Sequence, residues 1–97
     1  MARLIYSDAA FSDFERIIEF ALTSSPTSGG HALRRIRTAI EILAVHPLIG
    51  RRVAGDLREL VISEGATGYV ALYKYDPAFD LIRILRIRHQ REAGYRP

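Results

Sequence analysis

Two stretches of this chain repeat apolar residues at helical spacing, and three later runs read as strands. Phe11, Phe14, Ile18, Ala21 and Leu22 recur three and four residues apart, with Asp13, Arg16 and Glu19 on the opposite face. That is the stripe of an amphipathic helix. Ser7 offers an N-cap hydroxyl, and Asp8 and Asp13 suit the positive end of the helix dipole. The pattern predicts a helix over residues 8–23, preceded by a short apolar edge strand over 2–6. Ser24-Ser25-Pro26-Thr27-Ser28-Gly29-Gly30 breaks the periodicity and reads as an interhelical loop. A second helix is predicted over 30–45, with Leu33, Ile36, Ile40 and Leu43 as its stripe. Arg34, Arg35, Arg37 and Glu41 then form a solvated charged face. Two such helices joined by a short loop make an antiparallel hairpin.

His46-Pro47 ends the second helix, because proline disfavours helical geometry in the residue before it. Residues 48–56, with two glycines and an Arg pair, read as a loop. Strands are predicted over 57–62, 69–75 and 80–87, with turns at 63–68 and 76–79. Connections this short require antiparallel neighbours. The expected order is β-α-α-β-β-β. This is an α+β fold with the helical hairpin packed on one face of an antiparallel sheet. Tyr69, Tyr73 and Tyr75 share a strand face by parity and read as an aromatic row packed on the helices. Arg83 and Arg86, three apart, fall on opposite faces.

With 97 residues, one domain spanning 1–97 is the expectation. The chain has no cysteine, which removes disulfides, thiolate chemistry and Cys-based zinc sites. The first residues lack the apolar core of a signal peptide, and no apolar run approaches a membrane span. A soluble cytoplasmic protein is expected. The net charge is +3 and the sequence pI about 9.7, and the distribution is informative. Arg83, Arg86, Arg88, Arg91 and Arg96 face only Glu92 in the last fifteen positions, whereas Arg3 and Arg16 face Asp8, Asp13, Glu15 and Glu19 near the start. The positive end favours an acidic or polyanionic partner.

His31, His46 and His89 have no metal-ligand spacing, and no HExxH or carboxylate cluster is present, so neither a metal nor a cofactor is expected. Gly29-Gly30 lacks the lysine of a phosphate loop. The candidate chemistry lies in the last stretch, where a strand runs into Arg86, Arg88, His89, Arg91 and Tyr95. Cleavage of RNA by its own 2′-hydroxyl needs a base, cations on the phosphate and an acid. His89 would serve as base or acid, Arg88 and Arg91 would hold the phosphate, and Tyr95 would stack or donate a proton.

The order of elements, together with Ser7-Asp8-Ala9-Ala10, His46-Pro47-Leu48-Ile49-Gly50-Arg51, Arg58-Glu59-Leu60-Val61-Ile62 with Gly68-Tyr69 to Tyr73, and Arg88-His89-Gln90-Arg91, resembles the RelE/ParE toxin superfamily of type II toxin–antitoxin systems over the whole length. The resemblance implies one of two activities. RelE-like members cut messenger RNA on the ribosome; ParE-like members poison DNA gyrase without bond chemistry, and serve plasmid stabilisation. Both are neutralised by an antitoxin whose C-terminal segment wraps the toxin, here expected to be a ribbon-helix-helix, ParD-like protein. Val70 stands where a RelE-like enzyme carries a phosphate-binding Arg. The basic pair of the preceding strand is reduced to Arg58 beside Glu59 and Val61. The reading is therefore ParE-like, with Arg58, Arg86, Arg88, His89, Arg91 and Tyr95 as target-binding residues. A RelE-like ribonuclease using His89, Arg88, Arg91 and Tyr95 is the alternative, and a non-toxic, complex-forming member of the fold is the second.

Overall fold

A computed structural model of the chain describes residues 1–23, 25–62, 68–92 and 94–95. The elements are β1 (Arg3–Tyr6), α1 (Asp8–Leu22), α2 (Ser28–Ile42), β2 (Arg51–Ala54), β3 (Leu57–Ile62), β4 (Tyr69–Asp76) and β5 (Leu81–His89). Two helices pack on one face of a five-stranded sheet of order β1-β5-β4-β3-β2. The expected α+β arrangement is present, and the turn expected at 63–68 lies, apart from Gly68, outside the described residues.

Two features of the sheet differ from expectation. Residues 51–54, read as loop, form β2, antiparallel to β3 and closed by Gly55 in a left-handed conformation (φ 56°). All four β2 residues are exposed, so the strand carries no apolar alternation by which it could be recognised. The first strand joins the sheet parallel to β5, with Arg3 opposite Leu81 and Tyr6 opposite Ile84. The sheet is therefore mixed. The helical hairpin and three strands separate β1 from β5 in sequence, so no short connection forces the two antiparallel, and their relative direction is set by packing rather than by local residues.

Strand β5 also continues to His89, so Arg88 and His89 stand on the strand itself. Leu85 is an extra residue on this strand. Leu72 pairs with Arg86 and Tyr73 with Ile84, a bulge that interrupts strict alternation. Arg83 stands opposite Lys74 and Arg86 opposite Leu72. The two arginines therefore share a register face instead of opposing one another.

The core lies between the helices and the sheet. Phe14, Ile17, Ile36, Ile40 and Leu43 meet Ile62, Tyr69, Ala71, Tyr73, Ile82, Ile84 and Ile87. The tyrosine row packs here as expected, with Tyr75 at its margin. The stripe of α2 is as expected, but that of α1 is rotated. Ala10, Asp13, Phe14 and Ile17 are buried, while Phe11 and Leu22 are exposed. The rotation carries Asp13 inward, to where a charged partner on β5 awaits it. Helix α2 starts earlier than expected because Gly29 lets it approach α1: a Cβ at Gly29 would stand 3.0 Å from Ile18 and Leu22 side-chain carbons. Among the described residues no helix is long and apolar enough to cross a membrane.

Ser7 caps α1 by accepting from the Ala10 amide at 3.0 Å, and its hydroxyl donates to the Leu85 carbonyl at 2.8 Å. One side chain thus ties the helix start to the bulge. Ser7→Ala should cost about 1–2 kcal/mol, the usual worth of a lost N-cap. A urea titration should show the midpoint falling at unchanged slope.

Candidate recognition site at the C-terminal end of the sheet

Register places Glu59, Leu72 and Arg86 in one row across β3, β4 and β5, and Val61, Val70 and Arg88 in the next. The chain leaves β5 at His89 and returns over these rows. The Tyr95 hydroxyl donates to Glu59 Oε2 at 2.8 Å. Its ring centroid lies 5.7 Å from the Arg86 guanidinium and 5.4 Å from that of Arg88, the range of a cation–π contact. Arg51 of β2 donates to the other Glu59 oxygen at 2.9 Å. One buried carboxylate therefore joins β2, β3 and the last residues.

A second carboxylate organises the open edge of β5 beyond the reach of β1. Asp13 accepts from Arg86 Nε at 2.8 Å and Nη2 at 3.1 Å, and from the Ile87 amide at 2.8 Å. Arg16 bonds Asp13 and also Glu92, which accepts from its guanidinium. Arg88 Nη1 donates to the Glu92 carbonyl at 3.1 Å, with weaker contacts to the carbonyls of His89 and Gln90. Arg88 Nε and Glu92 Oε2 are buried without a hydrogen-bond partner among the described residues.

These contacts set the charge states. Burial alone would raise the Asp13 carboxyl, but the Arg86 side chain, the Ile87 amide and Arg16 outweigh it and hold the pKa below its ordinary value. Glu59 is likewise held low, burial being outweighed by the Tyr95 hydroxyl and the Arg51 guanidinium. Burial, and then the hydrogen bond and negative charge of Glu59, push the Tyr95 phenol far above its ordinary value. A phenol so held is a poor proton donor near neutral pH.

The sequence-derived residues therefore have distinct positions. Arg86, Arg88 and Tyr95 are brought together. His89 stands at the strand end, its ring 5.4 Å from that of Tyr69 in an edge contact. Its Nδ1 accepts from the Arg91 amide at 3.1 Å, which leaves the ring proton on Nε2. The Arg91 side chain is exposed. Arg58 lies apart from the cluster: it donates to the carbonyls of Leu48 at 3.2 Å and Gly50 at 2.7 Å and pins the loop before β2. Val70, opposite Arg88 in the register, is buried. Among the described residues no three His, Asp or Glu side chains gather as a metal site.

Residues missing from the sequence-derived set are Asp13, Arg16, Arg51, Glu59 and Glu92, the anions and braces of the cluster. The apolar spacing puts Asp13 on the outer face of α1, and only the rotation of the helix brings it between Ala10 and Ile17 in the buried stripe. Arg51 and Glu92 carried no local signal.

A sequence profile for the ParE toxin of type II toxin–antitoxin systems, parDE, matches residues 4–94. The chain is 38% identical to Toxin RelE3 of Caulobacter vibrioides over 80 residues, spanning 82% of this chain and 85% of that protein. It is 34% identical to Toxin RelE2 of the same organism over 89 residues, spanning 92% and 96%. Among solved structures, a chain of the chromosomal ParDE TA system from P. aeruginosa has a TM-score of 0.76 at 20% identity, covering 92% of this chain and 96% of that one. A chain of the intact E. coli RelBE toxin–antitoxin complex has a TM-score of 0.65 at 10% identity, covering 95% and 100%. These two likenesses concern the fold alone. The shared fold, the near-complete profile match and the two relatives agree: this chain belongs to the ParE toxin family and is a type II toxin–antitoxin toxin of the RelE/ParE superfamily.

Proposed function

We propose that this toxin inhibits DNA gyrase and is neutralised by a cognate antitoxin of acidic, ParD-like character. One observation carries the reading: several of the groups that would have to move protons or hold a phosphate are already engaged within the fold. The Tyr95 hydroxyl is bound to Glu59, Arg86 to Asp13, and Arg88 to backbone carbonyls. His89 Nδ1 accepts an amide. General acid–base catalysis needs such groups within reach of substrate and poised near the working pH. A surface of braced arginines and an aromatic ring instead suits recognition of a protein partner.

The antitoxin's place is supported by a different surface. His31, Arg34, Arg35, Thr38, Ala39, Ile42, Val61 and Ile62 line an open groove between α2 and β3. Its floor is apolar and its rim basic. An acidic amphipathic segment that folds on binding complements both.

The ribonuclease reading has its own support, because the two Caulobacter relatives are named RelE toxins and His89 Nε2 carries no committed bond in the described structure. A gyrase supercoiling assay beside an mRNA cleavage assay separates the two. The purified toxin should block supercoiling, premixed antitoxin should restore it, and Arg34→Glu should need more antitoxin. His89→Ala should leave the inhibition within about threefold, a change of under ~1 kcal/mol. Uninhibited gyrase at molar excess of toxin, with cleavage lost in His89→Ala, would establish the ribonuclease instead.

A further inference from the structure

The anion at the centre of the basic end has no role in holding the core. Glu59 lies on the sheet face away from the helices and is 8% exposed. Its row neighbour is Leu72, whose own partner is Arg86. Arg51 touches it at 2.9 Å, and Arg88 is close enough to act on it through charge. Arg88 itself has no carboxylate within 4.0 Å among the described residues, and its Nε donor is unsatisfied. Without Glu59, this face would present Arg51 and Arg88 beside an aromatic ring, with Arg86 held by Asp13; cations beside a stacking ring are the composition that holds single-stranded nucleic acid.

We infer that Glu59 is the specificity-determining residue of this face: its carboxylate bars phosphodiesters from Arg51 and Arg88 and reserves the surface for a protein partner. The physics is one of competition for the same donors. A phosphate oxygen arriving at Arg51 must displace a fixed carboxylate already seated there, and one arriving at Arg88 sits near that carboxylate and is repelled. The low dielectric of a partly buried site strengthens that repulsion. A protein partner meets no such penalty, because it approaches with neutral or cationic groups as readily as with anions. The carboxylate also places Tyr95 over the two guanidinium groups, so the same residue shapes the aromatic part of the face. This inference deepens the gyrase reading, resting on it only in taking a protein as the natural partner.

The test is fluorescence anisotropy with a fluorescein-labelled single-stranded RNA, titrated with wild-type toxin, Glu59→Gln and Glu59→Asp at several salt concentrations. Glutamine keeps the size and can still accept from Tyr95, so the variant should remain folded by circular dichroism. It should bind the RNA about tenfold or more tighter than wild type. Its salt slope should be steeper by about 0.7, the value for one more neutralised phosphate on a single strand. Glu59→Asp disturbs the same hydrogen bonds but keeps the charge, and should bind as weakly as wild type. Adding Arg88→Gln to Glu59→Gln should abolish the gain. Equal binding by wild type and folded Glu59→Gln would overturn the inference, as would an equal gain in Glu59→Asp, which would point to release of the Tyr95 contact rather than to charge. The supercoiling assay on wild-type toxin reports separately on the gyrase reading, so either conclusion can fail without the other.

Discussion

Asp13→Ala should unfold this protein more readily than any other single change at the site. The carboxylate is 3% exposed and accepts from Arg86, the Ile87 amide and Arg16. Removing it takes the carboxylate away from the Arg86 guanidinium and from the Ile87 amide at once. Breaking a buried charge pair from one side costs about 3–5 kcal/mol, because the remaining charge is uncompensated. For a domain of this size that lowers Tm by roughly 12–40 °C, at about 4–8 °C per kcal/mol. Differential scanning calorimetry of the variant would measure it, and a drop of only a few degrees would mean that Arg86 finds solvent easily.

The same group gives the stability its acid limit. The folded pKa of Asp13 is lowered, as is that of Glu59. Each therefore contributes stability that is fully present above the ordinary carboxylate pKa. That contribution is lost as pH falls through the depressed folded value. Wild-type Tm should hold through neutrality and fall steeply on the acid side. The Asp13→Ala profile, lower throughout, should be flatter there.

Gly50→Ala is the second large effect. A Cβ at this position would stand 2.6 Å from Tyr73 Cε1 and its hydroxyl, and 2.8 Å from the Glu59 carbonyl oxygen. Neither neighbour can yield cheaply. Tyr73 is fully buried; its hydroxyl donates to the Pro47 carbonyl at 2.8 Å and accepts from the Gly50 amide at 2.9 Å. The Glu59 carbonyl belongs to a paired strand. Overpacking costs about 1–3 kcal/mol and occasionally more, and losing both Tyr73 hydrogen bonds adds about 1–3 kcal/mol for the buried groups left unpaired. A total near ~3–5 kcal/mol should appear as a lower urea midpoint. Gly30→Ala is the control: only Arg34 Nη2, at 4.0 Å, lies near the new methyl. Within α2 it should be neutral or stabilise by about 0.5–1 kcal/mol.

Gly50 connects fold to function. It lies directly before Arg51, and its carbonyl accepts from Arg58. The loop that Pro47, Gly50, Tyr73 and Arg58 hold in place therefore positions the Arg51 side chain on Glu59. Arg58, one of the residues expected from sequence to touch a target, clamps this loop through the Leu48 and Gly50 carbonyls.

Local patterning was enough for most of the secondary structure. Apolar spacing marked both helices and four of the strands, because a helix or strand that buries one face must repeat apolar residues at its own period. Ser7 announced the start of α1, and the clustering of arginine near the end announced the charged surface. The bulge at Leu85 and the rotation of α1 were not legible, since both depend on which partner each residue meets across the fold. The rotation is decided by Asp13 and Arg86, 73 positions apart in sequence, a pairing no local period encodes.

What the sequence by itself determined is the inventory: two amphipathic helices, a meander of strands and a basic, aromatic C-terminal segment, all consequences of short-range spacing and composition. Tertiary structure decided the rest. It added β2, which has no apolar face to betray it, and turned β1 parallel, because only the packed helical hairpin determines where that strand lies. It also placed Glu59 and Asp13 among the arginines. Charge counts along a chain cannot say which cations are already matched. That matching depends on distances of about 3 Å between residues far apart in sequence, as hydrogen-bonded ion pairs require, and it braces this end of the sheet.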